Sequence, residues 1–186
     1  VLERYWAQRA GLGWIGRNRQ LIIPHAGSMF FLGELFITEV LEYDTPARNR
    51  CGRCHACIDA CPTQALISDV TLQNPKSSLL NSNRCLSYLT IEHRGPIQNS
   101  SSIIFRIRSA TRPIFASIYG CDRCQEACPW NRFSVPATEP AFQPSPALLS
   151  MTKEAWHNLT IEQYRALFRG SAVKRAKYEG LMRNIN

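Results

Sequence analysis

An α+β fold is predicted for this chain by three features of its sequence. Apolar residues at helical spacing open it and return near its end, two runs rich in β-branched and aromatic residues follow the first helix, and eight cysteines crowd the stretch between. The cysteine-rich stretch is broken by Gly, Pro and polar residues, so it is expected as loops and short helices. Part of an α/β layer should precede it, and helices should follow it.

The opening segment VLERYWAQRA places Leu2, Tyr5, Trp6 and Arg9 at helical spacing and runs into Gly11, a residue suited to ending a helix. The next segment, GLGWIG, spells G-x-G-x-x-G. A dinucleotide site needs that motif after a strand and before a helix, and here a helix precedes it while strand-like RQLIIP follows. Two readings remain, a glycine-permitted turn that packs Trp14, or close backbone approach to a large planar cofactor. LIIP (21–24) and MFFLGELFITEVL (29–41) read as two strands separated by His25, Ala26, Gly27 and Ser28, with sheet partners outside the chain.

DTPARNR (44–50) reads as a polar linker, and NPKSSLLNSN (74–83) as a loop with cap-like Ser82 and Asn83. Further on, Thr160 and Gln163 have capping-box spacing, with Leu159 and Tyr164 placed as a hydrophobic staple. The helix they open should close at Gly170, and AVKRAKYEGLMRNIN (172–186) should form a final helix. Both ends, Val1 and Asn186, read as cuts through a longer protein. The expected division is 1–45, an α/β part; 46–135, the cysteine-rich domain; and 136–186, a helical segment.

With 186 residues, 45% of them hydrophobic, the chain is long enough for a sizeable core. It contains neither a charged leader before an apolar stretch nor a run of about 18 apolar residues, so export and membrane insertion are not expected. A cytoplasmic location keeps thiols reduced, which makes metal ligation the better account of eight cysteines than four disulfides.

From Cys51 the chain reads CGRCHACIDACPTQAL, or C-x2-C-x2-C-x3-C-P, and from Cys121 it reads CDRCQEACPW, or C-x2-C-x3-C-P, with Cys85 alone between them. The first run is that of bacterial ferredoxins, in which the cysteine before proline ligates the other cluster. Two-residue spacings let three thiolates of one loop reach adjacent corners of a cubane, and the three-residue step carries the next one away. The expected ligand sets are therefore Cys51, Cys54, Cys57 and Cys128 for one 4Fe-4S cluster, and Cys61, Cys85, Cys121 and Cys124 for a second. Zinc is the competing reading, since CxxC pairs also bind it, but zinc has no need of the two Cys-Pro endings. Ala56, Ile58, Ala60 and Ala127 lie between the ligands and should make a dry shell. Cys85, supplied from a distant segment, departs from a simple ferredoxin and suggests a domain set in a larger enzyme.

The formal charge is +8, and two clusters with their thiolates would subtract roughly four charges, which leaves a basic surface suited to a polyanion. Lys174, Arg175, Lys177 and Arg183 form one basic group, and Arg106, Arg108 and Arg112 another, with alternation in IIFRIR placing Arg106 and Arg108 on one strand face. Each group is read as a solvated face or as a phosphate-contacting surface. His25, His55, His93 and His157 are scattered, and none forms a spaced pair suited to a metal.

VLER, RAGLGWIGRN, FFLGEL, the CGRCHACIDACPTQAL run, CLSYLTIEHRGPI, GCDRCQEACPWN and KRAKYEGLMRN together resemble the epoxyqueuosine reductase family along nearly the whole chain. The resemblance implies reduction of epoxyqueuosine to queuosine at the tRNA wobble position. Electrons would pass through two 4Fe-4S clusters to a cobalamin held between an N-terminal domain, to which 1–45 would belong, and a ferredoxin-like domain. It also implies a tRNA substrate, an external reductant such as a flavodoxin or ferredoxin, and a monomer. The family's proton-donating aspartate precedes the segment matching VLER, so no catalytic residue is expected within this segment. Ser28, Phe30, Glu92 and Asp122 are the expected cobalamin contacts. Ser87, Arg106 and Arg108 are the expected tRNA contacts, with Tyr88 able to serve tRNA or corrin. Packing within a helix is the other reading of Ser87 and Tyr88. Two rivals stand beside this family: a corrinoid reductive dehalogenase, and a ferredoxin-type electron carrier without chemistry of its own.

Overall fold

The computed structural model describes residues 2–68, 78–97 and 117–185. The chain closes into two compact units, one of Val1–Asn81 with Asp122–Pro136 and one of Ser82–Cys121 with Ala137–Asn186.

In the first unit, α1 (Glu3–Arg9) carries an acidic residue in its first turn and a basic one in its last, as the helix dipole favours. It ends as expected at Gly11, whose φ is +73°. The Gly11 N–H bonds to the Gln8 carbonyl and the Leu12 N–H to the Ala7 carbonyl, the paired bonds of a Schellman ending. The chain then turns into β1 (Trp14–Ile15), which pairs antiparallel with β2 (Leu21–Ile22) in the register Trp14 to Ile22 and Ile15 to Leu21. A Cβ on Gly13 would lie 2.1 Å from the Ile22 carbonyl oxygen, so glycine is what lets the two strands approach. Of the two readings of the G-x-G-x-x-G motif, the tight turn that packs Trp14 is the one realised; no helix follows it.

The strand expected over 29–41 does not form. The partner of β2 is β1, and beyond an isolated bridge from Ile23 to Gly27 the chain from 29 to 50 has no regular element. Phe31, Leu35, Phe36 and Val40 are each more than 85% exposed. A strand needs a ladder to a neighbouring strand, and the sheets among the described residues pair β1 with β2 and β3 with β4, so the β propensity of this stretch goes unused.

The cysteine region forms short elements, as expected. α2 (Ala56–Asp59) packs against α4 (Arg123–Glu126). β3 (Leu66–Ser68) pairs antiparallel with β4 (Ser78–Leu80), in the register Leu66 to Leu80. β4 falls within the stretch expected as a loop; Leu79 and Leu80 are apolar enough to pair with Ile67 and Leu66. Ser82 and Asn83 lie in a 3-10 turn, Ser82–Arg84, instead of capping a helix through their side chains.

The second unit begins with that turn and α3 (Leu86–Ile91), whose N-cap is Cys85. α5 (Pro146–Leu149) and α6 (Lys153–His157) are capped by Ser145 and Thr152. α7 (Ile161–Leu167) opens with the expected capping box, both halves present. Leu159 and Tyr164, the expected staple, form the core with Phe168 and Leu181. α7 ends three residues before Gly170, and the last helix is divided. Ala172–Ala176 is a 3-10 turn, and α8 (Lys177–Ile185) starts at a residue with φ of +61°. The break has a visible cause: the Ala172 carbonyl accepts from the Tyr119 hydroxyl at 2.7 Å, and those of Arg175 and Ala176 accept from Arg94 at 2.7 and 3.5 Å.

Candidate metal centre

Cys51, Cys54, Cys57 and Cys128 line one cavity of about 140 Å3 in the first unit. Backbone geometry brings them there. Cys51 begins a turn in which its carbonyl accepts from the Cys54 N–H at 3.0 Å, and Cys57 lies in α2. Cys128 stands in extended backbone just before Pro129, the conformation a following proline imposes, and the turn Pro129–Phe133 continues from it. The cysteine at the end of the second run thus lines the same cavity as three from the first.

The electrostatics of these thiols suit a cationic occupant. Burial, followed by the charges of Cys51, Cys128 and Cys54, pushes the Cys57 thiol up to about 11. Burial likewise raises Cys128, together with the charges of Cys51 and Cys54, against hydrogen bonds from the backbone at Trp130 and Asn131. Positive charge entering this space would favour the Cys57 and Cys128 thiolates, and an iron-sulfur cluster supplies it. No group of three or more His, Cys, Asp or Glu side chains among the described residues is gathered as a single metal ion would require. The four thiols surround a space instead of meeting at a point.

The hairpin of β1 and β2 supplies a wall that was not read from the sequence. Trp14, fully buried, donates from Nε1 to the Cys51 Sγ at 3.4 Å and meets Trp130 edge to face, with centroids 4.9 Å apart. Arg17 donates to the Gly52 carbonyl at 3.1 Å, and Asn49 accepts from the Cys51 N–H at 2.9 Å. Arg17, Asn18, Ile22 and Arg50 also line the cavity, with Pro129 and Trp130. The available signal was WIGRN, placed in sequence just after a helix-ending glycine.

Of the second expected set, Cys61 and Cys124 lie in the first unit, and Cys85 and Cys121 in the second. Burial raises the Cys61 thiol, but hydrogen bonds from the Leu66 N–H, the Thr63 hydroxyl and the Ala65 N–H outweigh it, and the net shift is downward. Its environment is therefore prepared for a thiolate.

Ser28 is buried, and its hydroxyl donates to the Gln125 side-chain Oε1 at 3.0 Å; the Asn131 Nδ2 donates to the Ser28 Oγ at 3.0 Å. Phe30 is half exposed, and Asp122 accepts from Gln125 at 2.7 Å. Glu92 pairs with Arg175 at 2.7 Å. Ser87 and Tyr88 lie within α3, half-buried. Arg106, Arg108 and Arg112 lie outside the described residues. Arg183 neither faces solvent freely nor offers a spare charge: it donates to the carbonyls of Leu89, His93 and Gly95 at 2.8 to 3.1 Å. His55 pairs with Asp59, and His25 stands edge-on to Phe133 and Trp130, away from any ligand role.

Residues 50–131 match the family model described as a 4Fe-4S double cluster binding domain. The epoxyqueuosine reductase of Cellulophaga algicola is 43% identical over 186 residues, all of this chain and 55% of that protein. That of Pseudomonas aeruginosa is 40% identical, over all of this chain and 47% of its own length. Among solved structures, an epoxyqueuosine reductase labelled with selenomethionine superposes with a TM-score of 0.79 at 28% identity, over 98% of this chain and 44% of that one. The Bacillus subtilis enzyme, with its catalytic aspartate loop swung out of the active site, gives 0.75 at 29% identity, with the same coverage. A third, an epoxyqueuosine reductase with an epoxyqueuosine-modified tRNA-Tyr stem loop, gives 0.73 at 27% identity over 98% and 44%. The chain spans about half the length of the curated relatives it matches. In sequence and fold the whole chain is thus similar to about half of an epoxyqueuosine reductase, and its cysteine region to a 4Fe-4S double cluster binding domain.

Proposed function

We propose that this chain is the electron-transferring part of an enzyme that reduces epoxyqueuosine to queuosine in the tRNA anticodon. The observation that carries this reading is the gathering of Cys51, Cys54, Cys57 and Cys128 around one cavity, in a chain matched over its whole length by epoxyqueuosine reductases. Bound 4Fe-4S clusters would supply single electrons, and cobalamin the deoxygenation chemistry. The overall step takes two electrons and two protons, breaks the two carbon-oxygen bonds of the epoxide, and releases an alkene and water.

The chain's own residues bind and insulate. Cys51, Cys54, Cys57 and Cys128 would hold one cluster, and Cys61, Cys85, Cys121 and Cys124 the other. Trp130, which lines the first cavity, and Trp14, packed edge-on against it, would help keep water from that cluster. For cobalamin, Ser28, Phe30, Glu92 and Asp122 remain the candidates; Phe30 has the most open surface, while the Ser28 hydroxyl is engaged by Gln125 and Asn131. For tRNA, Ser87, Arg106 and Arg108 are the candidates. We place the donor among flavodoxins or ferredoxins, and the protein, as a monomer, in the cytoplasm; no helix among the described residues is long and apolar enough to cross a membrane. In the full-length protein, 1–45 would complete a cobalamin-binding α/β domain, 46–135 would be the two-cluster domain, and 136–186 would begin a helical segment. The relatives reported above do not favour the dehalogenase or the plain electron carrier.

The test is anaerobic reconstitution of the full-length protein with iron, sulfide and cobalamin, followed by reaction with epoxyqueuosine-containing tRNA. About eight irons and one corrin per chain, with queuosine formed, are expected. Cys128→Ser should lower iron to about four. Iron without corrin would leave an electron carrier, and zinc in place of iron would overturn the reading.

A further inference from the structure

The geometry points to Trp14 and Asn18 as hydrogen-bond donors that raise the reduction potential of the cluster held by Cys51, Cys54, Cys57 and Cys128. This rests on the proposed cluster site and goes beyond it.

Two independent observations carry the inference. The Trp14 indole N–H is aimed at the Cys51 Sγ from 3.4 Å, on a side chain with no exposed surface. A ligand sulfur is its acceptor. Asn18 is 3% exposed and lines the same cavity, and its two amide ends behave differently. The carbonyl end accepts from the Gln20 N–H at 3.1 Å, which fixes the side chain in the turn between β1 and β2. The Nδ2 end is buried and has no hydrogen-bond partner among the described residues.

A buried amide donor left unpaired is costly, so such a group is retained where something accepts from it. The cavity it lines is walled by four cysteines, and a cluster there would present thiolate and sulfide sulfurs as acceptors. The turn itself is built to bring Asn18 close: a Cβ on Gly16 would lie 2.9 Å from the Asn18 Oδ1 and 2.5 Å from Ile22 Cδ1. The guanidinium of Arg17, anchored on Gly52, adds positive charge to the same wall.

On reduction a cluster gains one negative charge, shared over its sulfurs. Donors fixed toward those sulfurs stabilise the reduced form more than the oxidised form, and the potential rises. Both donors come from one short hairpin that contributes no ligand, so Trp14 and Asn18 are positioning residues for electron transfer and not ligands.

The experiment uses the full-length, reconstituted protein and an EPR-monitored redox titration. Asn18→Asp keeps the size but adds an anion as it removes the donor, so Asn18→Leu, of similar size and without charge, is titrated beside it, and Trp14→Phe removes the indole N–H. Each variant should keep the full iron content yet shift one of the two reduction steps to lower potential, with the other step unchanged as an internal reference. The expected shift approaches a tenfold fall in the reduced-to-oxidised ratio at fixed poise, about 59 mV for one electron. If Trp14→Phe fails to fold, Asn18→Leu decides alone. Full iron with both steps unmoved in Asn18→Leu overturns the inference and leaves the cluster assignment standing; absence of iron from the unsubstituted protein overturns the assignment instead.

Discussion

Arg183 shows how far a single residue can depart from its apparent role. In sequence it belongs to a run of four cations that reads as a wet or phosphate-binding face. In the structure its guanidinium collects three carbonyls from the end of α3 and the turn after it, at Leu89, His93 and Gly95. Burial and neighbouring Arg94 both disfavour its charge and draw its pKa below the usual arginine value. Asn184 adds bonds to the carbonyls of Thr90 and Ile118, each at 2.9 Å. Charge-assisted bonds of this kind contribute about 1.5–3 kcal/mol each. Arg183→Ala should therefore destabilise the second unit by about 2 kcal/mol or more. Arg183→Lys should recover only part of this, because one ammonium cannot fork across three acceptors. Urea denaturation of the two variants checks both expectations. Spacing alone could not have shown this, since a cation at a helix surface looks the same whether it meets water or carbonyls.

Among the elements, α7 is the one most fully legible beforehand. Its box is reciprocal: the Gln163 N–H bonds to the Thr160 Oγ1 at 3.2 Å, and the Thr160 N–H to the Gln163 Oε1 at 2.9 Å. The staple residues Leu159 and Tyr164 sink into the core at 3% and 5% exposure. Thr160→Ala should cost about 1 kcal/mol, read as a melting temperature lower by roughly 2–4 °C. Removal of Gln163 alone should cost less, since it leaves the Thr160 cap intact. The signal was legible because a cap and its staple are written within six consecutive residues. The hairpin of β3 and β4 was not: its strands are separated by nine residues, and pairing at that distance leaves no local mark.

At the scale of the whole molecule, the stretch from 29 to 43 stands apart. Leu35, Phe36, Val40 and Tyr43 are 87% to 94% exposed, in a sequence whose composition suits a buried strand. Fully burying side chains of this size contributes about 1.5–3 kcal/mol each, so a partner sheet would gain considerably by covering them. We expect backbone amides of 29–43 to exchange rapidly in this chain alone and to become protected in the full-length protein, as hydrogen exchange read by mass spectrometry would show. Equal, rapid exchange in both would remove the proposed role of 1–45 in an α/β domain.

What the sequence determined by itself is the chemistry. Seven of the eight thiols fall in two runs at ferredoxin spacing, each ending in Cys-Pro, and they point to their ligand class because short loops admit few arrangements around a cubane. The helix stop at Gly11 and the box at Thr160 were determined for the same reason, each being a local steric or hydrogen-bonding rule. Tertiary structure alone decided the rest. It brought Trp14 and Asn18 to the wall beside Cys51, turned Arg183 inward onto α3, and left 29–41 outside both two-stranded sheets. Each of these depends on residues remote in sequence arriving at one place, and a contact of that kind is decided by burial and unpaired backbone groups.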